Sequence, residues 1–444
     1  MKQRQALSFL IAALVAVPGL LARMLGLELA PPLEAALAGS AIIGASFLLL
    51  WACDAAQTEI SQTLALAVVA LIAVLPEYSI DMYFTWQAGR HPASGYAHYA
   101  IANMTGANRL LIGVAWAAIV GLYWFRFRGA VRLERDRRTE LLFLGMATLY
   151  AFVIPIKGTL DWYDGLVFLG IYIAYIVIAS RRCCGECEVD GPAELLVRLG
   201  KTPRRVAILV TFVFSAFTIL ANSAPFCEGL IGTGRVFGVS EFVLVQWLAP
   251  IASEAPEFVV ALMFTWRGEA GLALGSLLSA KLNQWTLLVG MIPGVYALSR
   301  GSLAQPIPMD TFQMHEILLT AAQSALGLIL LVGLRLSIGG ALLLVSLFFG
   351  QFVLPVLVTR FPGSFFGLTV DQIHPVFSIL YLVAGAAILL QRPGRILRLL
   401  RNRKPEFEEA CEPAGETEEY RTVHCRTCKW RQAAQAHDLA GTRR

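Results

Sequence analysis

Charge is scarce in this chain. Of its 444 residues only 15% are Asp, Glu, Lys or Arg, while 57% are hydrophobic. Soluble domains carry about 25% charged residues, so an ordinary water-soluble fold is excluded. The composition is that of an all-α polytopic membrane protein, with most of its length spent on spans. Histidine is sparse too, and the eight cysteines are scattered rather than spaced as an extracellular disulfide framework. Enzyme motifs are missing: there is no His-Glu-x-x-His and no Gly-x-Ser-x-Gly. Gly200-Lys201-Thr202 mimics the end of a phosphate-binding loop, but the position that needs the first glycine is Leu195. ATP-driven pumping therefore has no support, and no enzymatic activity is expected. Basic residues gather at the ends of apolar runs, where membrane orientation explains them better than nucleic acid does.

What is present is a series of apolar windows. A spanning helix takes about 20 mostly apolar residues. Windows of that kind fall at 5–23, 34–53, 60–87, 95–125, 139–156, 162–180, 206–230, 241–265, 270–298, 312–334, 336–359 and 374–391, which predicts about twelve spans (ten to twelve). Met1-Lys2-Gln3-Arg4 before an apolar run resembles a signal peptide, but no clean cleavage site comes after it, so the run reads as a first span. Arginine and lysine cluster at 126–138, at 181–205 and just after 391. The positive-inside rule makes these regions cytoplasmic, along with both termini, and the expected location is a cell inner membrane. The chain divides into a membrane half at 1–180, a cytoplasmic linker at 181–205, a second membrane half at 206–392 and a polar cytoplasmic tail at 393–444.

One stretch occurs twice. Pro76-Glu77 and the subsequent Phe84-Thr85-Trp86 reappear as Pro256-Glu257 and Phe264-Thr265-Trp266, each 180 positions later. The same offset aligns Gly95 with Gly275, Ala100 with Ala280 and Asn103 with Asn283. Such self-similarity marks a duplicated unit, here at about 60–125 and 241–298. The first copy opens in the third window and the second in the eighth. Five spans apart, they run antiparallel, the inverted-topology arrangement of secondary transporters, whose site lies at the midplane between repeats.

Proline inside a span frees carbonyls one turn back, and lipid tolerates this only where something else satisfies them. A glutamate one residue on, at bilayer depth, costs several kcal/mol and is a functional hypothesis by default. Hard cations take carboxylate, carbonyl and amide oxygens. The candidate cation-binding residues are Glu77, Glu257, Asn103, Asn283, Gln284, Glu254, Ser253 and Ala73. Glu254 and Glu257 share a helix face, as do Lys281 and Gln284. Lys281 and Arg109 are candidate charge-compensating groups. A static Lys281–Glu254 pair is the competing reading of Lys281, and Arg109 either lines the pathway or pairs with an acid such as Asp81. Asp81 and Asn108 are candidates for the access path. In the linker Cys183, Cys184 and Cys187, and in the tail His424, Cys425 and Cys428, have spacing that suits a cytoplasmic Zn²⁺ site, with unliganded thiols as the plainer reading. No chemistry is assigned to the remaining histidines, His374 among them.

The paired Pro-Glu segments, each with an Asn-bearing span after it, resemble the cation/calcium exchanger family, which comprises the sodium/calcium exchangers and their calcium/proton relatives. The resemblance covers about 70–113 and 250–294. It implies that Glu77 and Glu257 coordinate the transported cation, with help from Ser253 and from backbone at Ala73. This chain departs from the family pattern at Ala73-Val74, which lack hydroxyls, at Met104, at Glu254 and at Lys281. The resulting expectation is a secondary-active antiporter moving Ca²⁺ or a monovalent cation against Na⁺ or H⁺ by alternating access. It needs no cofactor; its partners are inorganic cations and the bilayer. The alternative is a non-transporting membrane sensor or scaffold with an exchanger fold and a cysteine-based cytoplasmic site.

Overall fold

The computed structural model describes residues 2–59, 74–180, 191–303, 305–361 and 367–391. It is almost wholly helical. Helices α1 (Lys2–Met24) and α2 (Pro31–Ala56) lead to α3 (Leu75–Arg90) and α4 (Tyr96–Leu110). A π-helical turn, Leu111–Trp116, continues α4 into α5 (Ala117–Phe127). Then come α6 (Arg138–Ala151), α7 (Trp162–Ala179), α8 (Lys201–Phe237) and α9 (Glu241–Arg267). Next, α10 (Ala270–Asn283) passes through a π turn, Gln284–Leu288, into α11 (Val289–Arg300). The last three are α12 (Thr311–Leu331), α13 (Ile338–Arg360) and α14 (Val370–Leu390).

Where they are described, the windows expected to span fall on helix. Among the described residues, however, ten helices rather than twelve are long and apolar enough to cross a membrane. The two exceptions differ in kind. The window at 60–87 is described only from 74 onward, as the 16-residue α3. The window at 270–298 is helical across its π turn, as 96–127 is, but Lys281, Asn283 and Gln284 in its middle leave it less apolar than the ten.

The surface is apolar and the centre is polar. Leu14, Leu149, Ile156 and Leu298 are exposed, whereas Glu77, Asp81, Asn103, Arg109, Lys281 and Glu316 are buried. That is the reverse of a soluble protein and suits a lipid surround.

The two inverted repeats interlock reciprocally. The first helix of repeat one, α3, packs on α11 from repeat two, and the first helix of repeat two, α9, packs on α4 from repeat one. Gly106 marks the tightest point of the second contact. A Cβ there would lie 1.9 Å from the carbonyl oxygen of Gln246. Pro250 stands one turn after Gln246 and has no N–H to offer that carbonyl, so it is free to face Gly106. Outside the repeats α8 packs along α2, and Glu59 just beyond α2 accepts from Arg205 Nε at 2.6 Å and pairs with Arg204. A two-residue antiparallel ladder, Val131 with Leu336 and Arg132 with Arg335, ties the loop after α5 to the loop before α13.

Candidate functional site

The two Pro-Glu segments are built differently. Pro76 lies in the first turn of α3, where a missing N–H costs nothing. Glu77 therefore sits at a helix N-terminus, whose dipole favours a carboxylate. Pro256 instead lies inside α9, which runs on through it. Its missing N–H leaves the Ala252 carbonyl without a helical partner. Glu254 is buried in the same turn and Glu257 is half-buried one turn further on.

Gln284 joins the repeats. Its Nε2 donates to Glu77 Oε2 at 3.1 Å and to Glu254 Oε1 at 2.9 Å. Glu77 Oε1 and Gln284 Oε1 are buried and receive no hydrogen bond. A buried polar atom left unsatisfied costs about 1–3 kcal/mol. Both of these orphans are acceptors, and what satisfies an acceptor is a proton or a cation. The sequence pairs Glu77 with Glu257, but the contact the structure makes is Glu77–Gln284–Glu254. Glu257 stands within electrostatic range of both carboxylates without touching the glutamine.

Asp81, a candidate for the access path, lies in the interior. It is fully buried, and its Oδ1 accepts from Asn103 Nδ2 at 3.1 Å. Asp81 Oδ2 and Asn103 Oδ1 are two further orphaned acceptors. Asn283 is buried and makes no side-chain hydrogen bond among the described residues, and Ser253 Oγ donates back to the carbonyls of Ala249 and Pro250, both at 3.2 Å. Ala73 lies outside the described residues.

The two buried cations do not close the carboxylate centre. Lys281 Nζ donates to Asn108 Oδ1 at 2.6 Å and to the Asn108 carbonyl at 3.2 Å, and among the described residues it makes no Lys281–Glu254 ion pair, the competing reading of this lysine. Asn108 is thus a lysine partner rather than an open path residue. Arg109 pairs neither with Asp81 nor with the centre, but with Glu316 on α12. Glu316 Oε2 also accepts from Gln246 Nε2 at 2.7 Å and from Thr105 Oγ1 at 3.3 Å, and His374 Nδ1 lies 3.1 Å from Oε1. Sequence reasoning misses all four of these residues. An acid inside an apolar window was the available signal for Glu316. His374, to which the sequence assigns no chemistry, proves to be part of this network.

Among the described residues no three His, Cys, Asp or Glu side chains converge as a ready metal site. Amides separate the acids, so a cation at this centre would take mixed oxygen ligands. The cysteine and histidine candidates for Zn²⁺ (Cys183, Cys184, Cys187, His424, Cys425 and Cys428) lie outside the described residues.

Comparisons with known proteins bear on the family and the fold. The family described as sodium/calcium exchanger protein matches residues 34–181 and again 207–357, one match for each half. An uncharacterized membrane protein of Methanocaldococcus jannaschii is 23% identical over 232 residues, covering 51% of this chain and 69% of that one. CaxA of Alkalimonas amylolytica, whose assignment as an antiporter is itself provisional, is 22% identical over 266 residues, covering 56% of this chain and 79% of its own. The crystal structure of the H⁺/Ca²⁺ exchanger CAX superposes with a TM-score of 0.81 at 37% identity, covering 90% of this chain and 97% of that one. With both halves matched and the fold shared, the chain belongs to the sodium/calcium exchanger family.

Proposed function

We propose that the protein is a secondary-active antiporter that carries Ca²⁺ in exchange for H⁺ at the Glu77–Gln284–Glu254 centre, with Glu257 as a further carboxylate on the path of the ion. The observation that carries this reading is the glutamine bridge between two buried acids from opposite repeats, with acceptor oxygens left over. A carboxylate oxygen holding a proton cannot at the same time ligate Ca²⁺. Occupancy by one ion therefore excludes the other, and mutual exclusion at one site is the chemical content of antiport. Similarity to an H⁺/Ca²⁺ exchanger favours H⁺ over Na⁺ as the coupling ion. Alternating access accords with the repeat symmetry, with the site fixed between halves that rock around it. By the positive-inside rule both termini face the cytoplasm in this reading. The scaffold alternative rested on the cysteine-bearing segments, and no described contact carries it.

Flux into inverted vesicles tests this, with Ca²⁺, Na⁺, K⁺ and pH scanned in turn. Ca²⁺ uptake should track an imposed pH gradient and be lost in Glu77→Gln and Glu257→Gln. Full activity in either variant would remove that carboxylate from the site, and uptake driven by Na⁺ alone would replace the coupling ion.

A further inference from the structure

Lys281 is fully buried on α10, in the repeat that also supplies Glu254 and Gln284. Among the described residues no carboxylate lies within ion-pair distance of its ammonium. Its partners are the Asn108 side-chain and main-chain oxygens at 2.6 and 3.2 Å, and the ring of Trp285, whose centroid lies 4.5 Å away. Two uncharged oxygens and an aromatic face are what a small monovalent cation takes when it sheds water. Asn108 belongs to α4 of the other repeat, so this cage, like the carboxylate bridge, exists only where the repeats meet.

We propose that the Lys281 ammonium is a built-in monovalent cation. It fills a site made by Asn108 Oδ1, the Asn108 carbonyl and the Trp285 ring, and so supplies permanently one positive charge that a free ion would otherwise bring. The inference rests on the Glu77–Gln284–Glu254 centre being the transport site. Glu254 and Glu77 feel this charge without touching it. Asp81 and Glu257 are the other acids near the centre, and Arg109 with Glu316 forms a separate pair beside Asn108. Whatever number of charges the centre trades, the lysine lowers by one the number that must come from solution.

Two variants test the cage. Lys281→Ala empties it while leaving its oxygens in place. In purified Lys281→Ala, Na⁺ or methylammonium should raise the melting temperature relative to N-methylglucamine and leave the wild type unmoved. In proteoliposomes, its Ca²⁺ uptake should be lost in N-methylglucamine and recover with the small cations. Lys281→Met keeps the volume without the charge. It should show no such rescue, its Ca²⁺ uptake staying low in Na⁺, methylammonium and N-methylglucamine alike. No cation-specific rescue in Lys281→Ala overturns the proposal, and so does wild-type uptake, or rescue by Na⁺ as large as in Lys281→Ala, in Lys281→Met. Should Lys281→Ala fail to fold in every medium, the Lys281→Met measurement decides alone. Absence of Ca²⁺ exchange in the wild type would be a different result, removing the transport reading itself.

Discussion

Set side by side, the two repeats carry the same skeleton and different charges. Both keep Pro-Glu and the Asn aligned at 180 residues, as Pro76-Glu77 with Asn103 and Pro256-Glu257 with Asn283. Around that skeleton the counterparts diverge: Val74 faces Glu254 in the alignment, Asp81 faces Ala261, Ile101 faces Lys281, Met104 faces Gln284 and Arg109 faces Val289. Duplication fixed the geometry, and each copy then took on groups the other lacks. The contacts that matter run between copies, Gln284 to Glu77 and Lys281 to Asn108. Neither repeat could form the centre alone.

The same comparison orders what mutation should do. The largest asymmetry is expected at Arg109 against Val289. Arg109→Met strands Glu316 in the interior and should destabilise by about 3–5 kcal/mol, whereas Val289→Ala should cost about 1 kcal/mol. Thermal unfolding in detergent reads both, and equal losses would mean that the Arg109–Glu316 pair contributes nothing. Next comes the repeat contact. Gly106→Ala drives a methyl into the Gln246 carbonyl and should cost about 3 kcal/mol. Its counterpart Thr286→Ala loses only a bond to its own backbone, at about 1 kcal/mol or less. Comparable stabilities for these two would show that the repeats are not tightly seated there.

Gln284→Leu removes the donor shared by two acids. A hydrogen bond to a charged group is worth about 1.5–3 kcal/mol, so Ca²⁺ affinity should change by about tenfold or more, while Met104→Leu should leave it within about twofold. Calorimetric titration with Ca²⁺ measures it, and matching affinities would break the assignment of the bridge. The smallest effect lies outside both repeats. Arg205, and after it Arg204, hold the Glu59 carboxyl below its usual range. A carboxyl lowered in the folded state adds stability at neutral pH, and loses it as pH falls through the ordinary carboxylate range to the lowered value. Glu59 is half-buried but its partner Arg205 is exposed to solvent, so about 1 kcal/mol or less is at stake. Glu59→Gln should unfold with a slightly flatter pH dependence between neutral and mildly acidic buffers, and a steeper one would reverse the sign.

The skeleton was legible because a spanning helix and a duplication both leave linear traces. Apolar windows have a length, and repeats have an offset. The partners were less legible because they depend on rotation about helix axes. Glu254 and Glu257 are three residues apart on one face, and sequence cannot say which of them Gln284 reaches. A π turn opens at Gln284 in repeat two, while in repeat one it comes later, at Leu111–Trp116. Such a turn adds a residue to the helix and re-aims every side chain beyond it, and no composition signal announces it. Glu316 and Arg109 are 207 positions apart, and only packing of α12 on α4 joins them.

A primary amide has just two hydrogens to give, and at Gln284 both are spent on opposing acids. Under the proposed exchange, swinging that one side chain aside unmasks both acids together. Arriving cargo then meets a single all-or-none receptor in place of two weak half-receptors, and the vacant carrier stays latched by the residue that must yield when cargo enters.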